Sequence, residues 1–130
     1  MKQNLTLTVA SLLSILFTSF HHADDVVRGM APGGVSNLVP VFFLLVWLYA
    51  TLAPPGRRAG YVIILVASLL ASGLPVVHMT GAGLVGGDVG KSGGAFFFVW
   101  TLIALGVTAL LSATLAARHL WGLRRSHARR

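Results

Sequence analysis

The chain has 130 residues, of which 55% are hydrophobic and only 10% are charged, and its mean hydropathy is +0.81. A soluble domain of this size carries about 25% charged residues. So few charged side chains cannot cover a water-facing surface, so the composition excludes a soluble globular protein and indicates an integral membrane protein of one domain. The absence of cysteine excludes disulfides, thiolate metal ligands and cysteine nucleophiles.

Uncharged stretches long enough to cross a membrane recur four times along the chain. They predict an all-α fold, a four-helix transmembrane bundle that forms a single domain over residues 1–130. The predicted helices are about Leu5–His22, Val35–Ala53, Gly60–Met79 and Gly94–Leu120. Small residues do not stand at the spacing that signal peptidase requires around Ala23, so the first helix is expected to be retained.

Glycine and proline set further expectations for the helices and loops. Pro40 falls in the first turn of the second helix, where proline is tolerated, and Pro75 predicts a kink near the end of the third. The second helix has almost no polar face and is expected to be the most exposed to lipid. The segment Thr80–Gly94 contains seven glycines, which predicts a flexible loop or a close approach of its backbone to another group.

The distribution of charge predicts the orientation of the bundle. Most basic residues fall on one side of the predicted membrane: Lys2, Arg57, Arg58, Arg118, Arg124, Arg125, Arg129 and Arg130. Positively charged loops stay in the cytoplasm, so both termini and the basic tail 118–130 are predicted to be cytoplasmic. This placement explains the net charge of +7 without a nucleic-acid partner, and it predicts a multi-pass protein of the cell membrane, the bacterial inner membrane.

The basic residues next to the predicted helices are expected to face lipid headgroups. They are Arg57, Arg58, Arg118, Arg124 and Arg125. The tail has two interpretations. It is a topology signal anchored by Trp121 at the interface, or it binds anionic lipid or an acidic partner on the cytoplasmic side.

A polar cluster interrupts the apolar sequence at the outer end of the first helix. With the topology above, its side chains share one extracytoplasmic face with a histidine from the third helix and with charged residues of the following loop. Imidazole and carboxylate groups together suit a divalent transition metal, and they also suit proton handling near neutral pH. The candidate ligands are His21, His22, Asp24, Asp25, His78 and Asp88, with Arg28 and Lys91 as ion-pair or site-orienting residues.

Spacing supports the cluster if the first helix continues through it. His21 and Asp25 are then four residues apart and His22 and Asp25 three apart, so either pair lies on one face. Asp24 and Arg28, also four residues apart, form an ion pair in this arrangement. In the alternative interpretation, both histidines are interfacial side chains, the aspartates cap the helix or pair with Arg28, and His78 is incidental.

Polar side chains, mostly serine and threonine, fall on one face in three of the predicted helices, and on the first they recur every three or four residues. On the first helix they lead toward the polar cluster. They indicate either close helix packing with weak hydrogen bonds or a hydrated path through the bundle. No Asp, Glu, Lys or Arg stands in the middle of any predicted span, which argues against an ion path.

The segment His22–Gly29, with the sequence His-Ala-Asp-Asp-Val-Val-Arg-Gly, is followed by Gly-Gly-Val-Ser-Asn at the start of the second helix. These motifs resemble a family of small four-helix bacterial membrane proteins of unknown function. The resemblance implies no activity and only marks the His-Asp-Asp-Arg group.

Three functions are compatible with these features. The sequence favours a non-enzymatic accessory or interaction subunit, whose partner is another membrane protein or a second copy of the chain. The alternative is binding or transport of a divalent metal, a proton or a small polar solute at the outer His/Asp cluster. An intramembrane enzyme that uses the same residues as acid and base is the third.

Overall fold

Four long helices run through the part of the chain that the computed structural model describes, residues 2–31, 33–54, 57–79 and 91–128. They are α1 (Lys2–Val27), α2 (Leu38–Leu52), α3 (Arg58–Met79) and α4 (Ala95–Ala128), and a single 3-10 turn, Gly34–Asn37, precedes α2. Each is long and apolar enough to cross a membrane, for α2 together with the 3-10 turn. The predicted all-α, four-helix architecture is therefore confirmed for the described residues.

Two helices are longer than their apolar runs predicted. The first continues past His22 to Val27, and the fourth continues past Leu120 to Ala128. Hydropathy predicts which part of a helix can cross a membrane but not where the helix ends. Charged residues can continue the same helix into water or the headgroup layer. At 1.5 Å per residue the fourth helix is about 51 Å long, which exceeds the roughly 30 Å thickness of bilayer hydrocarbon.

The shortest helix, α2, is also the most exposed one. Only 17% of its span is buried inside the bundle, the smallest share of the four, which confirms the prediction from its uniformly apolar sequence. Pro40 lies in its first turn as predicted, and Pro75 lies inside α3. The glycine-rich segment lies largely outside the described residues, which resume at Lys91.

The centre of the bundle is α4, which packs mainly against α3 and α1, while α2 lies against α1 and α3. Buried positions on α4 alternate three and four residues apart, the spacing that keeps one face of a helix toward its neighbours. They are Phe98, Leu102, Leu105, Ala109, Ser112 and Ala116, each at most 1% exposed. Small side chains in the second half of this stripe let the neighbouring helices approach closely.

The same alternation runs along α1 and α3. On α1 it passes through Leu7, Ser11, Ser14, Thr18, His21 and Asp25. On α3 it passes through Tyr61, Ile64, Ser68, Ala71, Pro75 and His78. Both inward stripes therefore carry a histidine near the end of the bundle where α4 begins, and on α1 Asp25 follows it by one turn. We call this the histidine end, and the opposite end, which carries Arg58, Arg118 and Arg124, the arginine end.

Buried hydroxyl groups join the helices in the middle of the bundle. The indole N–H of Trp47 donates to Ser11 Oγ at 2.9 Å, and Ser11 Oγ lies 2.7 Å from Thr51 Oγ1. Between α3 and α4, Ser68 donates to Ser112 at 2.9 Å. These contacts favour the packing interpretation of the hydroxyl stripes over a hydrated path.

Candidate metal site

Three side chains that commonly bind metals meet at the histidine end. His21 and Asp25 come from the last turns of α1, and His78 comes from the last turn of α3. The two Nε2 atoms of His21 and His78 are 3.0 Å apart. Asp25 Oδ2 lies 3.6 Å from His21 Nε2 and 3.9 Å from His78 Nε2. Among the described residues, this is the group of three histidine and carboxylate ligands whose atoms all lie within 4.8 Å of one another.

These separations are close to those of a bound ion. In tetrahedral zinc sites the ligand atoms lie about 2.0–2.1 Å from the metal, which places them about 3.3 Å from each other. The three separations of 3.0, 3.6 and 3.9 Å fall on both sides of that value. An ion between the three atoms would require side-chain shifts of only a few tenths of an ångström on this comparison.

Hydrogen bonds within the protein do not use all the polar atoms of the cluster. His21 is 2% exposed, yet its Nδ1 atom has no hydrogen-bond partner among the described residues, and Asp25 Oδ1 is buried with none there either. Leaving a buried polar group unsatisfied costs about 1–3 kcal/mol. Asp25 Oδ1 therefore remains available to an ion or a water molecule at the cluster, whereas His21 Nδ1 is directed away from the atoms that converge there.

The orientation of the imidazoles is fixed by aromatic packing. Phe98, which is 1% exposed, lies with its ring centroid 5.1 Å from the ring of His21 and 5.2 Å from that of His78. The two imidazoles are nearly perpendicular, at 85°. Phe98 heads the inward stripe of α4, so helix packing holds both Nε2 atoms toward each other.

Arg28 closes the cluster from the side of α4. Its Nε donates to Asp24 at 2.7 Å, its Nη1 donates to Ser92 at 2.6 Å, and its guanidinium carbon lies 5.5 Å from the ring centroid of Phe98. Gly94 permits this approach, since a Cβ there would lie 2.5 Å from Arg28 Nη2. Arg28 therefore connects the end of α1 to the residues just before α4 and covers Phe98. The site-orienting role predicted for it stays a prediction.

Two other candidate ligands that the structure describes lie outside this group. His22 Nε2 is 3.3 Å from the backbone oxygen of Asn37, at the start of α2, and Asp24 accepts the hydrogen bond from Arg28. Lys91 is exposed. Asp88 lies outside the described residues. The structure therefore brings together three of the five predicted ligands that it describes.

The five basic residues predicted to face lipid headgroups are all exposed at the arginine end. They are Arg57, Arg58, Arg118, Arg124 and Arg125. The guanidinium carbon of Arg125 lies 5.3 Å from the ring centroid of Trp121, in cation–π contact.

No family model, curated protein or solved structure matches this chain. The resemblance to small four-helix bacterial membrane proteins thus stays a prediction.

Proposed function

We propose that this chain is a membrane protein that binds a divalent transition-metal ion, of the zinc class, between His21, Asp25 and His78. The observation that carries the proposal is the meeting of these three side chains from two helices, with their ligand atoms within 4.8 Å of one another. From the sequence alone an accessory subunit ranks first. The convergence of ligands supports the binding function instead.

The chemistry of the ligands supports an ion of this class. Two imidazoles and one carboxylate suit Zn²⁺, Fe²⁺ or Cu²⁺, whereas Ca²⁺ and Mg²⁺ prefer oxygen ligands alone. His21 and Asp25 are four residues apart, the same helical spacing with which paired histidines bind zinc in other proteins. Three protein ligands leave the fourth tetrahedral position for water or an incoming group.

Partial exposure of the site supports exchange of the ion. Side chains of His78 and Asp25 are 18% and 19% exposed, so the ion can enter between them while His21 forms the buried wall. The absence of charged residues deeper in the spans favours binding at one membrane face over passage through the bundle.

We expect the purified wild-type protein to hold one zinc ion per chain. The test is metal analysis by mass spectrometry after dialysis against zinc and then buffer, together with calorimetric titration of the detergent-solubilised protein. A streptavidin-binding tag should replace a polyhistidine tag, which would itself bind metal. The Asp25→Asn variant, in which the carboxylate becomes a neutral group of the same shape, provides the background. Equal metal content in wild type and Asp25→Asn would refute the proposal.

Charge placement supports an extracytoplasmic position for the site. Arg58, Arg118 and Arg124 lie at the arginine end, and the positive-inside rule assigns that end to the cytoplasm, with both termini. The histidine end then faces the outside, which in a bacterial inner membrane is the periplasm. There the protein would meet metal ions before they enter the cell.

The orientation can be tested by labelling, because the chain has no cysteine of its own. Ala31→Cys places a thiol at the histidine end, and Ser126→Cys places one at the arginine end. A membrane-impermeant maleimide is expected to label Ala31→Cys in intact cells and Ser126→Cys only after the membrane is opened. The reverse pattern would overturn the orientation without affecting the metal site.

A further inference from the structure

The arginine end carries an apolar groove between α3 and α4 with a cation on each side of its mouth. The groove has a volume of about 440 Å³. Its floor is formed by Val62 and Leu65 of α3 and by Ala117 and Leu120 of α4. Val62 is 42% exposed, so this apolar floor is open to the surroundings of the bundle.

Antiparallel packing of the two helices determines where the charges lie. Arg58 begins α3 and Arg124 lies in the last turns of α4, and both line the groove. Leu65 and Ala117 are each seven residues further into the bundle from these arginines, which is about 10 Å along a helix. The groove therefore has a cationic mouth and an apolar interior about two helical turns deep.

Among the described residues, no acidic side chain neutralises the positive charge at the mouth of the groove. Both arginines are exposed, and neither forms an ion pair with another described residue. The three acidic residues of the sequence are Asp24, Asp25 and Asp88, none of which belongs to the stretches that line the groove. Guanidinium groups bind phosphate with paired hydrogen bonds, so two of them from neighbouring helices favour a phosphate between them.

Trp121 completes the mouth. Its ring lines the groove and is in cation–π contact with Arg125, 5.3 Å from the guanidinium carbon. Tryptophan prefers the headgroup level of a bilayer, where its ring is apolar and its N–H meets polar groups. This places the mouth at headgroup depth and the floor at the depth of the acyl chains.

From this arrangement we infer that the groove binds one anionic phospholipid, with its phosphate between Arg58 and Arg124 and an acyl chain along Val62, Leu65, Ala117 and Leu120. The site is distinct from the proposed metal site, which lies at the opposite end of the bundle. Its occupant is a lipid because the cationic mouth and the apolar floor match the two parts of that molecule.

Native mass spectrometry of the detergent-purified protein with phosphatidylglycerol tests the inference. The double variant Arg58→Gln, Arg124→Gln is compared with Arg57→Gln, Arg118→Gln, which removes the same charge from the same end but outside this groove. We expect the first pair to weaken phosphatidylglycerol binding by about tenfold or more and the second pair to leave it nearly unchanged. Wild type should bind phosphatidylcholine at least about tenfold more weakly than phosphatidylglycerol, because the phosphatidylcholine headgroup has no net charge to attract the two arginines.

Three results would overturn the inference. Equal loss in the two double variants would show general attraction to the basic end rather than a site, and unchanged binding in both would exclude the arginines. Displacement of the lipid by millimolar inorganic phosphate would show that the acyl chain is not bound. All four substituted residues are exposed, so helical circular dichroism should be unchanged, and the zinc content of each variant reports independently on the histidine end.

Discussion

Replacement of His78 by glutamine is expected to weaken zinc binding by more than about a hundredfold. The substitution removes one of three protein ligands, and even loss of a residue that only supports a metal ligand typically costs 10- to 100-fold in affinity, so loss of a ligand should cost about that or more. Titration calorimetry of the detergent-solubilised variant measures the change. Asp25→Asn should have a similar effect, since the amide offers no charged oxygen.

His22→Gln is the matched control for this experiment. His22 is next to His21 in the sequence. Its Nε2, however, lies 3.3 Å from the backbone oxygen of Asn37, away from the three convergent ligands. Its substitution should leave the zinc affinity within about threefold, because the three ligands of the open zinc site are kept. Equal weakening in His22→Gln and His78→Gln would show that zinc binds the histidines of this end without requiring the convergence of His21, Asp25 and His78.

A different outcome would assign another role to the same atoms. If wild type binds no zinc while His78→Gln lowers the thermal stability of the bundle, the 3.0 Å contact between the two Nε2 atoms is a structural hydrogen bond. One imidazole would then donate to the other with Asp25 nearby, and the site proposal would fail.

Sequence alone predicts the number of helices because each apolar run must be kept out of water along its whole length, either inside the bundle or against lipid. It does not predict their ends. Asp24 and Arg28 mark the end of the apolar run, but they are four residues apart and pair at 2.7 Å, so α1 continues to Val27. This continuation places Asp25 one turn after His21.

The candidate site was partly accessible from the sequence. The spacing predicted a shared face with Asp25 for either His21 or His22, and the structure brings His21 to it. His78 falls in phase with Ile64 and Ser68 on the inward stripe of α3. This spacing could have predicted from the sequence that His78 faces inward. Only the packing of α1 against α3 shows that its ring meets His21, 57 residues away in the sequence.

Contacts between distant residues could not be predicted. Arg28 donates to Ser92, 64 positions later, and both imidazoles pack on Phe98. No local periodicity encodes such pairs, since they depend on how four helices are rotated against each other. The glycine-rich segment did suggest a close approach of its backbone, and Gly94 makes one with Arg28.

The second large effect is expected in the middle of the bundle, where Trp47 joins α2 to α1. Trp47 is 0% exposed and donates its indole N–H to Ser11. The Trp47→Ala variant should lose about 3 kcal/mol of the free energy of unfolding, the lower end of the range for buried aromatic residues. The lower end applies because side chains released into lipid lose packing contacts and a hydrogen bond but are not transferred into water.

Trp100→Ala provides the comparison, since the same side chain is removed from a position that is 54% exposed. Its cost should stay below about 1 kcal/mol, because lipid fills the space that the ring leaves and no cavity forms. Both free energies of unfolding can be measured by reversible unfolding, in which the protein is titrated from mild detergent into dodecyl sulfate. Equal losses in the two variants would contradict the position of Trp47 inside the bundle. Since α2 is otherwise the most exposed helix, the buried contacts of Trp47, together with those of Ala50 and Thr51, hold it against the bundle.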